Sequence, residues 1–261
     1  MRKTLAVFLF ILALSTIAAF ADDWNKSFQV QGRPQLVVDA DDGNVTVNPS
    51  AGNEVHLSVH SEGLRIAPDE LEVNATQQGN RIQLTLRKHN SGLRIHFHTS
   101  LEIRVTLPAA SDLDVHRRDG NLDVDGIQGT HNLRTGDGNA NLRGIAGSLQ
   151  LQTGDGNLDV DGQFSALTLH TGDGNIEAVA RSGSAMKSGW VLRTGDGNIR
   201  LRLPGDFSAD LDAHTGDGHV RSDFPITTNA SGEQNDLRGK INGGGQTLEL
   251  RSGDGTIEIE K

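Results

Sequence analysis

The sequence predicts an all-β, single-domain β-solenoid, and two observations support this prediction. The tetrapeptide Gly-Asp-Gly-Asn, or a close variant of it, recurs first every 18 residues and then after steps of 23, 21 and 37 residues. Apolar and polar residues alternate on both sides of each copy, which is the period of a half-buried strand. A repeat of roughly 20 residues is typical of a stack of small units. We therefore expect each repeat of ~18–23 residues to form strand, turn, strand.

The first observation can be located on a column of turn aspartates. These are Asp119, Asp137, Asp155, Asp173, Asp196, Asp217 and Asp254. The alternation changes phase across each copy, as it does at a tight turn, where glycine accepts positive φ and Asp and Asn bond to nearby backbone. The column two residues before the Asp is mostly Thr and the column two residues after it is mostly Asn, and we expect both to hydrogen-bond between repeats.

The second observation gives apolar columns at fixed offsets from each turn. Four residues before the Asp stand Val115, Leu133, Leu151, Leu169, Leu192, Ala213 and Leu250. Three residues after it stand Leu122, Ala140, Leu158, Ile176, Ile199, Val220 and Ile257. One such unit is too small to be stable alone, whereas stacked units share one continuous core.

The winding of the solenoid is less tightly defined by the pattern. A left-handed β-helix of hexapeptides needs an aliphatic residue at every sixth position, and Asn139, Asn157 and Gln163 interrupt that series. We therefore expect a right-handed or irregular β-helix. Packed antiparallel β-hairpin sheets built from the same repeats are the alternative.

The chain divides into a leader and one β-repeat domain. Arg2 and Lys3 precede an apolar run over residues 5–20, followed by a small-x-small site, so residues 1–21 are predicted to be a signal peptide. Residues 22–261 then form the domain. Within it we expect an irregular β start that caps the stack (22–110), regular repeats (111–221), a loop (222–245) and a last coil (246–261). The leader predicts export to the periplasm or to the extracellular cell surface.

Composition limits the classes of partner. The formal net charge of −10 disfavours nucleic acid and anionic membranes. The chain has no Cys, and after residue 20 no apolar run long enough to span a membrane. Aromatic residues make up only 4% of the chain, which disfavours a stacking platform for sugars.

The order of motifs resembles a known bacterial family. A predicted signal peptide, an irregular β start, a strand ending in Leu107-Pro108, serial Thr-Gly-Asp-Gly-Asn turns, and residues 242–245 (Asn-Gly-Gly-Gly) before the last repeat are shared with the β-strand-repeat family labelled "putative adhesin". The resemblance covers nearly the whole domain. It implies an exported β-repeat domain of unknown function.

The turn aspartates are the first candidate site. In a solenoid, Asp137, Asp155, Asp173, Asp196 and Asp217 line one edge at a spacing of about 4.8 Å. They either form structural turns, helped by cations three residues upstream such as Arg193 and Arg251, or bind Ca²⁺ between repeats. Each unit supplies only one such carboxylate, so we expect structural turns and no cofactor, with calcium as the alternative.

The column four residues after the Asp is the second candidate site. It is acidic at Asp123, Asp159 and Glu177 and then basic at Arg200 and Arg221, before Glu258 of the last repeat. An acidic stretch followed by a basic stretch suits head-to-tail docking with a second copy or binding of a charged polymer. The simpler interpretation is an ordinary solvated face.

Other chemistry finds little support. His96 and His98 share a face of a predicted strand and would need a third ligand to hold a metal. The nucleophile elbow, catalytic Cys and phosphate loop of common enzyme classes are absent from the sequence. We therefore expect a non-catalytic, adhesin-like module of the cell envelope that binds an envelope protein or polymer, or itself. A calcium-stabilised binding module is the alternative, and a carbohydrate-active enzyme on a β-helix is the third possibility.

Overall fold

The protein is all-β over the residues that the computed structural model describes, namely 21–89, 99–227 and 234–261. Every regular element in these ranges is a strand. The predicted signal peptide, apart from Ala21, and the histidines at 96 and 98 lie outside the described residues. The strands are β1 (Ala21–Gln29), β2 (Gln35–Asp42), β3 (Asn44–Ser50), β4 (Glu54–Glu62), β5 (Leu71–Gln78), β6 (Arg81–Lys88), β7 (Ser100–Pro108), β8 (Asp112–Asp119), β9 (Leu122–Asp125), β10 (Gln128–Arg134), β11 (Ala140–Gln152), β12 (Leu158–Thr171), β13 (Ile176–Ala180), β14 (Trp190–Thr194), β15 (Ile199–Arg202), β16 (Ala209–Thr215), β17 (Val220–Ser222), β18 (Ile226–Thr227), β19 (Asp236–Ile241), β20 (Thr247–Ser252) and β21 (Ile257–Glu260).

The repeats pair in parallel, one on the next. His131 lies opposite Leu149 in the β10–β11 pair, and Ala140 lies opposite Leu158 in the β11–β12 pair, so partners are one 18-residue step apart. The strand segments before the turns form what we call the first ladder, and those after the turns form the second ladder. One turn with its two flanking segments is a coil. The right-handed or irregular winding stays a prediction.

Antiparallel pairing occurs only near the two ends of the described stack. At one end β1 pairs with β4, β4 with β7, and β5 with β6. At the other end β19 pairs with β16 and with β18. The alternative of packed antiparallel hairpins is therefore wrong for the repeats, whose strands pair in parallel.

The order of the coils differs from their order along the chain. Leu250 of β20 lies opposite Leu192 of β14 on one side and Ala213 of β16 on the other. The coil β20–β21, which we expected at the end of the stack, therefore lies between β14–β15 and β16–β17. The same interleaving occurs near the start, where β2 lies between β6 and β8.

The segment expected to be a loop, 222–245, contains two strands. β19 pairs antiparallel with β16 along six residues, from Ala209 opposite Ile241 to His214 opposite Asp236. This strand covers the edge that β16 would otherwise expose. Covering an edge protects its unpaired N–H and C=O groups from other chains.

A single apolar core lies between the two ladders. Leu151 of the first ladder and Leu158 of the second are both almost fully buried and belong to one cluster. Trp190 anchors the C-terminal half, with its ring centroid 6.2 Å from that of Phe164 and 5.0 Å from that of Phe207. Each fully buried side chain of this size contributes about 1.5–3 kcal/mol to folding, so the repeated columns together hold the stack.

The turns are held together by contacts from coil to coil. The Thr171 hydroxyl donates to the Gly156 carbonyl oxygen at 2.8 Å. The backbone N–H of Asn157 donates to Oδ1 of Asn139 at 2.9 Å, which confirms the predicted asparagine ladder. A Cβ on Gly156 would lie 2.2 Å from the carbonyl oxygen of Gly138. Close approach of stacked backbones, rather than positive φ, therefore requires glycine at position 156.

Candidate functional site

The turn aspartates form an exposed row along one edge of the stack. Backbone pairing places Asp119 beside Asp137 and Asp137 beside Asp155. Gly253 N–H donates to the Gly195 carbonyl, and Gly216 N–H donates to the Gly253 carbonyl. Asp254 therefore separates the predicted neighbours Asp196 and Asp217. The spatial order of the row is Asp119, Asp137, Asp155, Asp173, Asp196, Asp254 and Asp217.

The turn carboxylates are not paired with the cations expected beside them. Arg193 contacts Glu249 at 2.5 Å, and Arg251 contacts Asp212 at 2.7 Å. In the described part of the chain, no hydrogen bond or ion pair involves the carboxylate of Asp155, and no group of three or more His, Cys, Asp or Glu is placed to hold a metal. The expectation of help from the upstream cations is wrong at these coils, and the calcium alternative stays a prediction from sequence.

The second candidate site is a straight row on the outer face of the second ladder. Side chains four residues after each turn Asp are in register from strand to strand. We call this set the charged row: in spatial order it comprises Asp123, Asn141, Asp159, Glu177, Arg200, Glu258 and Arg221.

The basic stretch predicted for this row is not continuous. Glu258 lies between Arg200 and Arg221, 3.1 Å from the first and 3.9 Å from the second. Arg200 also contacts Glu260 at 3.3 Å. The hydrogen bond that Arg200 donates to Glu258 and the negative charges of Glu258 and Glu260 raise the pKa of Arg200. The inserted coil therefore converts an expected basic segment into alternating charges.

Four residues of the charged row line a groove of about 470 Å³. Glu177, Arg200 and Arg221 surround it together with Glu258. Asn175, Asn198 and Thr256 line its side nearest the turns, and Asp123 and Asp159 lie outside it. The groove offers carboxylates, guanidinium groups, amides and a hydroxyl, a set suited to binding a polar, charged partner.

The sequence pattern placed Glu258 at the end of the charged row, not between Arg200 and Arg221, and it did not indicate Glu260. Both belong to a coil that follows its spatial neighbours by up to 58 residues, since Arg200 lies opposite Glu258. The apolar columns of residues 246–261 match those of every other repeat, so the sequence allowed this coil to lie at any position in the stack.

A separate cavity of about 380 Å³ lies at the turn of the β2–β3 coil. Four leucines, at positions 64, 71, 86 and 101, line it together with acidic residues that include Asp41 and Asp119. Its walls come from several distant segments, so no local motif predicts it. Within the described ranges, no helix is long and apolar enough to cross a membrane.

Two solved structures are similar to this chain at low sequence identity. A "putative adhesin" from Bacteroides fragilis NCTC 9343 is 17% identical and matches with a TM-score of 0.50, over 91% of this chain and 96% of that chain. A "putative cell adhesion protein" from Clostridium sporogenes ATCC 15579 is 14% identical, with a TM-score of 0.41, over 92% of this chain and 99% of that chain. No curated protein matches this chain.

A family model accounts for most of the chain. The model described as Toastrack DUF4097 matches residues 34–190 and, in a second match, residues 163–260. The two matches together span both interleaved regions and all the coils between them. This confirms the family resemblance inferred from the motifs: the chain belongs to the Toastrack DUF4097 family.

Proposed function

We propose that the protein is an exported, non-catalytic interaction module of the bacterial cell envelope. Its binding surface is the groove formed by one end of the charged row, on the outer face of the second ladder. The partner is a charged envelope protein or polymer, or another copy of the chain. The observation that carries the proposal is the groove lined by Glu177, Arg200 and Arg221.

The rigidity of the groove supports binding. Three of the strands beneath it, β13, β15 and β21, are each hydrogen-bonded on both sides. Ion pairs also hold several of its side chains, because Glu258 contacts Arg200 at 3.1 Å and Arg221 at 3.9 Å. A surface ordered before binding loses less conformational entropy when a partner arrives.

The location of perturbed groups supports binding over acid–base chemistry. In the described residues, the large pKa changes belong to Arg117 and His131, and both side chains are buried. Enzymes usually place strongly shifted groups in the cleft where they act. Neither residue lines the groove.

Two further observations support an envelope role. The predicted signal peptide would send the domain out of the cytoplasm. The structural neighbour from Bacteroides fragilis is called a "putative adhesin". The net charge of −10 favours a partner with basic or mixed charge.

The proposal is tested by cosedimentation of residues 22–261 with isolated peptidoglycan and with outer-membrane fragments. The variant Glu177→Gln/Arg221→Gln removes one charge of each sign from the groove. We expect its retention to fall at least about tenfold, and wild-type retention to fall with salt because exposed charges are screened. Glu54→Gln/Arg118→Gln is the matched control at exposed positions away from the groove.

Equal retention of the groove variant and the control would contradict the proposal. Chemical conversion of either envelope fraction by the wild-type protein would contradict its non-catalytic part.

A further inference from the structure

We propose that the outer face of four adjacent strands of the second ladder, β13, β15, β21 and β17, is a two-fold interface with a second copy of this chain. This inference rests on the proposed function, because it names the partner of the same surface. It is carried by the order of charges along the charged row, which the inserted coil creates.

Across these four strands the row alternates in sign. Glu177 lies opposite Arg200, Arg200 opposite Glu258, and Glu258 opposite Arg221. An alternating row of four charges is complementary to itself when its direction is reversed. A two-fold axis parallel to the strands, passing between β15 and β21, produces that reversal. It brings Glu177 to the partner's Arg221 and Arg200 to the partner's Glu258.

The rows on either side fit the same axis. Two residues further along each strand, Arg202 lies opposite Glu260, and the axis brings each to the opposite charge of the other copy. On the turn side, Asn198 faces the partner's Thr256, and Asn175 faces the partner's His219. These are amide, hydroxyl and imidazole groups that can hydrogen-bond with one another.

The other simple arrangements fit less well. If the row of charges in the second copy had the same order across the interface, Glu177 would face the partner's Glu177. Arg200 would then face the partner's Arg200. A shift by one coil restores opposite charges but leaves charges unmatched at the ends, and such heterologous contacts propagate into open assemblies. The reversed arrangement matches all four positions and closes as a dimer.

The charge balance of the patch also favours this face. It carries the basic residues Arg200, Arg202 and Arg221 and the acidic residues Glu177, Glu258, Glu260 and Asp223. The chain as a whole carries −10. Two copies of an acidic protein repel least where the local charge is nearly balanced, and complementary pairs there steer the encounter.

The size of the patch determines the expected affinity. Four strands at about 4.8 Å spacing, each about four residues long at about 3.3 Å per residue, give a face of roughly 19 Å by 13 Å, or about 250 Å². This is smaller than the ~800 Å² per partner of a stable interface, so we expect a weak dimer. The side chain of Arg221 is 69% exposed, and its contact with Glu258 is long, at 3.9 Å. Its guanidinium can therefore reach the second copy.

The test is analytical ultracentrifugation of residues 22–261 from about 10 μM to about 1 mM, the range in which weak interfaces form. Glu177→Arg alone should repel the partner's Arg221, and Arg221→Glu alone should repel the partner's Glu177. Each single variant should therefore weaken self-association at least about tenfold. An equimolar mixture of the two variants should recover it, because every contact across that mixed dimer again joins opposite charges.

Asp123→Lys, on the same ladder outside the patch, is the control and should dimerise at least as well as wild type. Thermal unfolding of each variant checks the fold, and both swapped residues are exposed. A strictly monomeric protein, single variants that dimerise like wild type, or a mixture that fails to recover dimers would overturn the inference. Envelope retention without dimers would overturn the inference alone, whereas loss of both would also overturn the proposed function.

Discussion

The hydroxyl of Thr215 donates a hydrogen bond to the carbonyl oxygen of Gly255, 40 residues further along the chain, at 2.7 Å. The equivalent bond from the Ser252 hydroxyl reaches back to the carbonyl oxygen of Gly197, also at 2.7 Å. The coil of Gly255 therefore lies between those of Gly197 and Thr215. The same hydroxyl-to-carbonyl bond joins neighbouring coils whether or not they are neighbours in sequence.

Removing one of these hydroxyls should destabilise the stack. We expect Thr171→Val to lower the free energy of unfolding by about 1–3 kcal/mol, because the Gly156 carbonyl loses its donor in a buried site. Urea denaturation measures the change. Thr168→Val, at an exposed position of the same strand, is the control and should change it by less than about 0.5 kcal/mol. Equal effects would contradict the role of the hydroxyl.

Arg117 occupies the position that threonine holds in the regular coils, and its buried guanidinium donates to the carbonyl oxygens of Gly43, Gly120 and Asn121. Burial lowers its pKa to about 10. We expect Arg117→Met, which keeps the apolar stem, to cost about 2–4 kcal/mol in urea denaturation, because three carbonyls lose a donor. Arg118→Met, at the exposed neighbouring position, should be nearly neutral. A small effect at both positions would contradict this account.

His131 stands in an otherwise apolar column, and neither ring nitrogen has a hydrogen-bond partner among the described residues. Burial lowers its pKa to about 4. Above pH ~6.5 the ring is neutral in both the folded and unfolded states. As pH falls from ~6.5 to about 4, only the unfolded chain gains the proton, so His131 should remove up to about 3 kcal/mol of stability over that window.

Urea denaturation at several pH values tests this prediction. His131→Leu, which matches the neighbouring Leu149, should be more stable than wild type and should lose less stability over that window. His170→Leu at an exposed position is the control. If His131→Leu lost stability with pH in parallel with wild type, the prediction would be wrong.

Calcium should not change the stability of the domain. Each coil supplies one turn carboxylate, and no described group of three acidic or histidine side chains converges on a metal position. We expect thermal unfolding curves of residues 22–261 in millimolar Ca²⁺ and in EDTA to superimpose. A rise of about 5–10 °C in Ca²⁺, which corresponds to one well-occupied site, would support the calcium alternative.

The row of turn carboxylates should instead repel itself. Asp137 lies between Asp119 and Asp155, and like charges ~4.8 Å apart cost on the order of 0.9 kcal/mol each in water. Asp137→Asn should therefore stabilise the domain by up to about 1 kcal/mol at low salt, and the gain should vanish near 1 M salt. Asp206→Asn, at an exposed position away from the row, is the control. Destabilisation by Asp137→Asn at low salt would show that the carboxylate has a structural role.

The sequence was sufficient to predict the strands and turns of the repeats and the pairing of each repeat with its neighbours. Each of these follows from local periodicity: Leu151 and Leu169 are buried because they occupy the same offset from a turn. Arg117 was also visible in its column, although nothing in a polar residue at that position indicates that its guanidinium replaces a threonine hydroxyl.

The order of the coils could not be predicted from the sequence. For this reason the position of Glu258 in the charged row was predicted wrongly. The columns of residues 246–261 match those of every other coil. No local feature of the sequence therefore indicates that β21 lies between β15 and β17. Glu258 was therefore assigned to the end of the charged row, and the alternation of Glu177, Arg200, Glu258 and Arg221 was missed. The antiparallel strand β19 was missed because it pairs with β16, and the sequence did not show that β16 lies at the edge of the stack.

The interleaved coil order also constrains how the chain can fold. In a solenoid that follows its sequence, each new coil can settle on the one before it as the chain emerges. Here the coil β16–β17 pairs in the folded protein with residues 247–260, which follow it in the chain. Before those residues are made, β16–β17 can pair instead with the edge of β14–β15, which has the same apolar columns. Such non-local parallel pairing is slow to form. We therefore expect the C-terminal half to fold as one kinetic unit rather than coil by coil.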